Sequence, residues 1–93
     1  MHFFEFMILF FKIHLKGSET MYLRRLKDLR EDNDEKQIAI ANLLNITRQQ
    51  YSLYETGKRD LPIKYLKILA EFYNTSTDYI LEVTDDSKPY KKI

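Results

Sequence analysis

From Leu23 onward, apolar residues return every three or four positions, the period of a helix with one buried face. Leu23, Leu26, Leu29 and Arg30 set a first helix over about 21–32. The polar run Glu31-Asp32-Asn33-Asp34 predicts a turn. Gln37, Ile40, Ala41 and Leu44 then share one face of a second helix, about 36–44. Asn45 follows its last periodic residue, and asparagine tolerates the left-handed conformation that ends many helices. Thr47 is a good N-cap for a third helix over 48–55, which Gly57 stops. Pro62 suits the first turn of a fourth helix, 62–73, with Leu66, Leu69, Ala70 and Tyr73 as its buried stripe. Asn74 ends that helix. Ser76 caps a fifth, 77–83, burying Tyr79, Ile80 and with them Val83. The expectation is an all-α bundle of about five helices, a domain over 21–84, and an irregular tail over 85–93 containing Pro89.

Residues 1–20 break this pattern. Ten apolar residues between Phe3 and Leu15 are interrupted by Glu5 and Lys12 and end in Lys16-Gly17-Ser18-Glu19. A membrane-spanning helix needs about 20 apolar residues, and a signal peptide wants basic residues first and a small-residue cleavage site, so neither is expected. The Lys-Gly-Ser-Glu stretch can be encoded by a purine-rich run resembling a bacterial ribosome-binding site, a few codons before Met21. Native translation is therefore expected to start at Met21. If made, the aromatic-rich extension predicts a dimer contact or an aggregating segment.

Composition narrows the function classes. The 93 residues suggest one domain, long enough for a small helical core and too short for a large enzyme cleft. With no cysteine there is neither a disulfide framework nor a thiolate metal site, and a reducing cytoplasm is the natural setting. His2 and His14 are the only histidines, without a ligand set around them, so no metal and no cofactor are expected. The acids at 31–35 lack the spacing of a calcium loop. No nucleophile–base pair, phosphate-cradling glycine loop or carboxylate pair stands out, which predicts a non-enzyme. Net charge is only +1, so nucleic-acid binding would require the bases to be gathered on one face. Arg24, Arg25, Lys27 and Arg30 cluster, as do Arg48, Lys58, Arg59, Lys64 and Lys67.

The join between the second and third helices is the informative feature. Two short helices are separated by Asn45, Ile46 and Thr47, and the first has a small residue, Ala41, in the middle of its inner face. A bulky residue there would hold the helices apart, whereas alanine allows them to cross at close to a right angle with Ile46 plugging the corner. That is the helix-turn-helix arrangement, here over 37–55. At about 100° per residue, Tyr51, Tyr54 and Glu55 share the inward face of the third helix, while Gln49 and Leu53 point outward. Gln50 and Ser52 flank them, and Arg48 projects from the helix start. Arginine can pair with guanine and glutamine with adenine in a bidentate way, so Arg48 and Gln49 are the expected base readers, with Gln50 and Leu53 as context. The tyrosines read as core or its rim rather than as a base-stacking platform.

At these residues the sequence resembles a known family. Gln37, Ile40-Ala41, Leu44, Asn45-Ile46-Thr47, Tyr51-Ser52, Tyr54-Glu55, Gly57-Lys58-Arg59, Pro62, Leu66, Ala70 and Asp78-Tyr79-Ile80-Leu81 fall at the spacings of the Cro/phage-repressor type (XRE) helix-turn-helix domain. The resemblance covers residues 22–84 and implies a lambda-repressor-like fold and a DNA-binding transcriptional regulator, acting as a repressor. It implies phosphate contacts by Gln37, Thr47, Ser52, Lys58 and Arg59, and a structural ion pair between Arg30 and Glu55. The tail through Lys88-Pro89-Tyr90 also resembles short regulators of this type from low-GC Gram-positive bacteria and their phages. Glu35, Lys36, Ile38, Ala39 and Thr75 depart from the family pattern, the first two at the start of the second helix. A module with so few contacts is expected to work as a homodimer on a near-palindromic duplex site. Helix 5 and the tail, through Tyr79, Val83 and Tyr90, would form the dimer contact. A protein antagonist is expected as inducer. The rival function is that of an antitoxin, binding a toxin partner and regulating its own gene. No membrane partner is expected.

Overall fold

The structure, a computed structural model, describes residues 21–91. The apolar extension 1–20, the expected start at Met21 and both histidines turn on residues outside that range. Five helices follow one another: α1 (Arg24–Asp32), α2 (Gln37–Leu44), α3 (Arg48–Glu55), α4 (Ile63–Phe72) and α5 (Thr77–Ile80). Among the described residues there is no strand, so the all-α expectation holds.

The core is built from the predicted stripes. Leu23, Leu26, Ile40, Ala41, Leu44, Tyr51, Leu66, Leu69, Ala70 and Ile80 are buried together, with Leu29, Ile46, Leu61, Tyr65, Tyr73 and Leu81 packed around them. Ala41 on α2 and Tyr51 on α3 are both wholly buried in this core.

One device ends every helix. Asp34, Asn45, Gly57, Asn74 and Glu82 all have positive φ. After each, the next amide reaches five residues back: Glu35 to Arg30, Ile46 to Ala41, Lys58 to Leu53, Thr75 to Ala70 and Val83 to Asp78, at 2.9–3.0 Å. This is the bonding of the Schellman motif, which satisfies the carbonyls a helix leaves open at its C-terminus. Only one of the five positions is glycine, and Asn or Asp fills three.

Five boundaries differ from expectation. α1 starts at Arg24 rather than residue 21, because Met21 and Tyr22 are held by the loop after α3: the Met21 amide donates to Asp60 Oδ1 at 3.1 Å. α2 starts at Gln37, one residue late, with Lys36 as an N-cap whose side chain makes no cap bond. Pro62 is the N-cap of α4 rather than its first residue, and that helix ends at Phe72. α5 stops at Ile80 because Glu82 turns left-handed, which leaves Val83 71% exposed instead of buried.

The tail has no regular structure but is not loose. Thr75 is buried, and its hydroxyl donates to Ser87 O at 2.7 Å, so the polar residue at this family-atypical position docks the tail. The Tyr90 hydroxyl bonds the Asp78 carboxylate. Arg25 fixes the segment between α5 and the tail. It donates to Tyr79 O and Thr84 O at 2.6 Å each and to Asp85 Oδ1 at 3.0 Å, with its guanidinium 4.1 Å from the Tyr79 ring centre.

Candidate nucleic-acid interface

The α2–α3 corner is assembled by local bonding. Asn45 sits at φ 59° and ψ 43°, closing α2. Thr47 opens α3 with a capping box: its hydroxyl accepts from the Gln50 amide, and the Gln50 side-chain oxygen accepts from the Thr47 amide, both at 3.1 Å. Two free amides at the start of α3 are thereby satisfied and its entry angle is fixed. The same box commits the side-chain Oε1 of the exposed Gln50 to the backbone, so its side-chain amide hydrogens take no part in the cap.

α3 runs over Arg48–Glu55, as the spacing predicts. Tyr51 and Glu55 are buried, while Tyr54 is half-buried, its ring 6.0 Å from that of Tyr65 on α4. Arg48, Gln49 and Gln50 are exposed, and Ser52 and Leu53 are half-buried. Leu53 is less outward than the helical angle suggests. Its carbonyl also accepts both the Lys58 and Arg59 amides, at 2.9 and 3.1 Å, which fixes the loop carrying those two exposed cations.

Glu55 anchors the other side of α3. Arg30 pairs with it in a fork, Nε to Oε2 and Nη2 to Oε1, both at 2.8 Å. The side chains are 12% and 3% exposed, which makes this a buried pair. A third Arg30 donor meets Glu35 O at 2.9 Å and so ties the α1–α2 turn to the same guanidinium. Burial opposes ionisation of Glu55, but the Arg30 guanidinium, with the Tyr51 hydroxyl and Gln37 amide beside it, outweighs burial and holds the carboxyl below its ordinary value. Burial, and next the Glu55 carboxylate, push the Tyr51 hydroxyl well above its ordinary value.

Gln37 links this pair to the start of α3. Its Nε2 donates to Glu55 Oε1 at 3.3 Å and its Oε1 accepts from Arg48 Nη1 at 3.4 Å. The expected phosphate contact and the expected base reader therefore touch each other. Beside them opens a cleft of about 470 Å³ lined by Tyr22, Lys27, Arg30, Gln37, Glu55 and Thr56. Sequence periodicity places Lys27 in a cationic cluster but gives no hint of Tyr22 or Thr56, because the cleft joins three separate stretches of chain. That cluster is not a free basic patch. Arg25 and Arg30 are spent inside the fold, and Arg24 pairs with Glu82 at 3.0 Å. The exposed cations around this corner are Lys27, on the cleft, Lys36 at the start of α2, and Arg48, Lys58 and Arg59.

Among the described residues no helix is long and apolar enough to cross a membrane. The helix-turn-helix family profile matches residues 26–80. An uncharacterized HTH-type transcriptional regulator of Bacillus subtilis (strain 168), YobD, is 38% identical over 69 residues, 74% of this chain and 62% of that protein. The SPbeta prophage-derived uncharacterized HTH-type regulator YonR of the same organism is 39% identical over 64 residues, 69% of this chain and 59% of that one. The HTH-type transcriptional regulator ImmR, also of B. subtilis (strain 168), is 38% identical over 65 residues, 70% of this chain and 51% of its own. The chain thus spans between half and two thirds of these relatives' length. No solved structure gives a significant match. With its fold, its α2–α3 corner and these matches, the chain belongs to the Cro/phage-repressor (XRE) type of the helix-turn-helix family of DNA-binding transcriptional regulators.

Proposed function

We propose that this chain binds double-stranded DNA sequence-specifically, laying α3 in the major groove, and represses transcription by covering a promoter. The observation that carries the reading is the exposed start of α3. Arg48 and Gln49 stand free of the core on a helix whose opposite face, Tyr51 and Glu55, is buried and locked. Rigid presentation matters because a bidentate base contact tolerates little misplacement. Arg48 and Gln49 are the main base readers. Leu53 contributes at most apolar contact with a thymine methyl, and Gln50 acts through the amide hydrogens its capping role leaves. Gln37, at the uncapped start of α2, with Thr47, Ser52, Lys58 and Arg59, grips the phosphates and sets register.

One such module makes few contacts, so the working unit is a homodimer on a near-palindromic site with half-sites about 34 Å apart. Val83 and Tyr90, 71% and 61% exposed beside α5, support a dimer contact there, whereas Tyr79 is already covered by Arg25. The setting is the cytoplasm, at the nucleoid, and a protein antagonist fits the inducer role.

A salt-titrated shift assay on the upstream region of its own gene tests this. Specific binding that weakens steeply as salt rises is expected, because phosphate contacts release counterions. A folded chain that leaves duplex DNA unbound at low salt overturns it.

A further inference from the structure

Met21 and Tyr22 precede α1 and lie outside the core, 64% and 56% exposed. Their position is nevertheless tightly defined. The Met21 amide is bonded to Asp60, and the backbone and ring of Tyr22 lie directly on Gly57. A Cβ at Gly57 would come within 3.1 Å of Tyr22 Cβ and Cδ1 and 3.2 Å of its Cα. With φ at +77°, Gly57 satisfies two demands at once, a left-handed turn and the approach of Tyr22. The loop that follows is therefore held from both sides. On one side the end of α3 accepts the Lys58 and Arg59 amides through Leu53 O, and on the other lies the Met21–Tyr22 segment.

We propose that the Met21–Tyr22 segment is a brace that positions Lys58 and Arg59 for the DNA backbone, with Tyr22 as the positioning residue. The proposal rests on the DNA-binding reading above. Without the brace the loop gains conformational freedom, and ordering it again opposes binding. The effect falls on the phosphate grip rather than on base choice, since Arg48 and Gln49 are held separately by the α2–α3 corner. Tyr22 acts through its ring and backbone, so its hydroxyl is dispensable.

The test compares full-length wild type, Tyr22→Ala and Tyr22→Phe in duplex titrations over a range of salt, with hydrogen exchange of the free proteins. Tyr22→Ala should bind several-fold more weakly on all sequences alike, with the salt slope reduced by about 1 for each phosphate that Lys58 or Arg59 no longer grips. The Lys58 and Arg59 amides should exchange faster in it, and Tyr22→Phe should restore both. A charge-matched pair guards against a Tyr22→Ala chain that folds poorly. Asp60→Ala and Asp60→Asn remove the same negative charge, but only the asparagine keeps an acceptor for Met21, so Asp60→Ala should bind the more weakly. Wild-type affinity and exchange in Tyr22→Ala would overturn the brace. So would equal weakness of Tyr22→Phe, which would make the hydroxyl a direct contact, or a changed base preference. A wild type that binds no duplex while Tyr22→Ala speeds loop exchange removes the DNA reading, and the proposal with it, yet leaves the packing of Tyr22 on the loop standing as plain architecture.

Discussion

Glu55 is the buried carboxylate on which the corner converges. It takes two bonds from Arg30 and one from Gln37, at 3% exposure. Removing either member of a buried pair strands the other charge, so Arg30→Ala or Glu55→Ala should cost about 3–5 kcal/mol in urea unfolding. The sign of the pH effect follows from the depressed Glu55 value. Its contribution is fully present above the ordinary carboxyl value of 4.5 and is lost as pH falls through the lower folded value. Wild-type stability should therefore decline in acid below that value, and Glu55→Gln should be weaker at neutral pH with a flatter acid limb. Arg48 and Gln49 are expected to behave in the opposite way. Both are exposed, so alanine there should leave stability within about 0.5 kcal/mol. In a binding-site selection each should relax one step of base preference by about 1–3 kcal/mol.

The short helices depend on how they end. α2 and α3 have eight residues each and α5 four, too few to be stable alone, so their ends must be satisfied. Asparagine or aspartate at three of the five left-handed positions keeps the strain small, whereas Glu82 adopts that conformation without such help. Asn45→Ala should destabilise by about 1–2 kcal/mol, read as a lower urea midpoint at unchanged slope, while Asn45→Gly should stay near wild type. Asn45, Thr47 and Pro62 are legible as boundaries because their chemistry is local. The early end of α5 is not. Glutamate carries no left-handed signal, and what holds the turn at Glu82 comes from Arg24 and Arg25 on α1.

Arg25 shows how a distant residue closes the molecule. It joins α1 to Tyr79, Thr84 and Asp85 with a side chain only 12% exposed. Arg25→Ala takes the side-chain donor from Thr84 O and one of two donors from Tyr79 O, which keeps the Glu82 amide, and should cost about 1–3 kcal/mol, with faster amide exchange at Glu82 and Val83. Folding also redistributes the charge. The cluster Arg24, Arg25, Lys27 and Arg30 reads as a basic patch in sequence, yet three of its members are paired within the fold. With a net charge of +1, DNA affinity should rest on few cations and remain sensitive to salt.

The helical period, the caps and the small residue at 41 suffice to give the five helices, the corner at 37–55 and the division of α3 into a buried and an exposed face, because each depends on neighbours within a turn or two. The Arg30–Glu55 pair was reachable through family resemblance. The role of Gln37 between Glu55 and Arg48, the docking of the tail by Thr75 and Arg25, and the seat of Tyr22 on Gly57 came from the fold alone. Each joins residues eleven to sixty positions apart, and no local rule says which of several exposed-looking arginines or tyrosines will meet a partner once the helices pack.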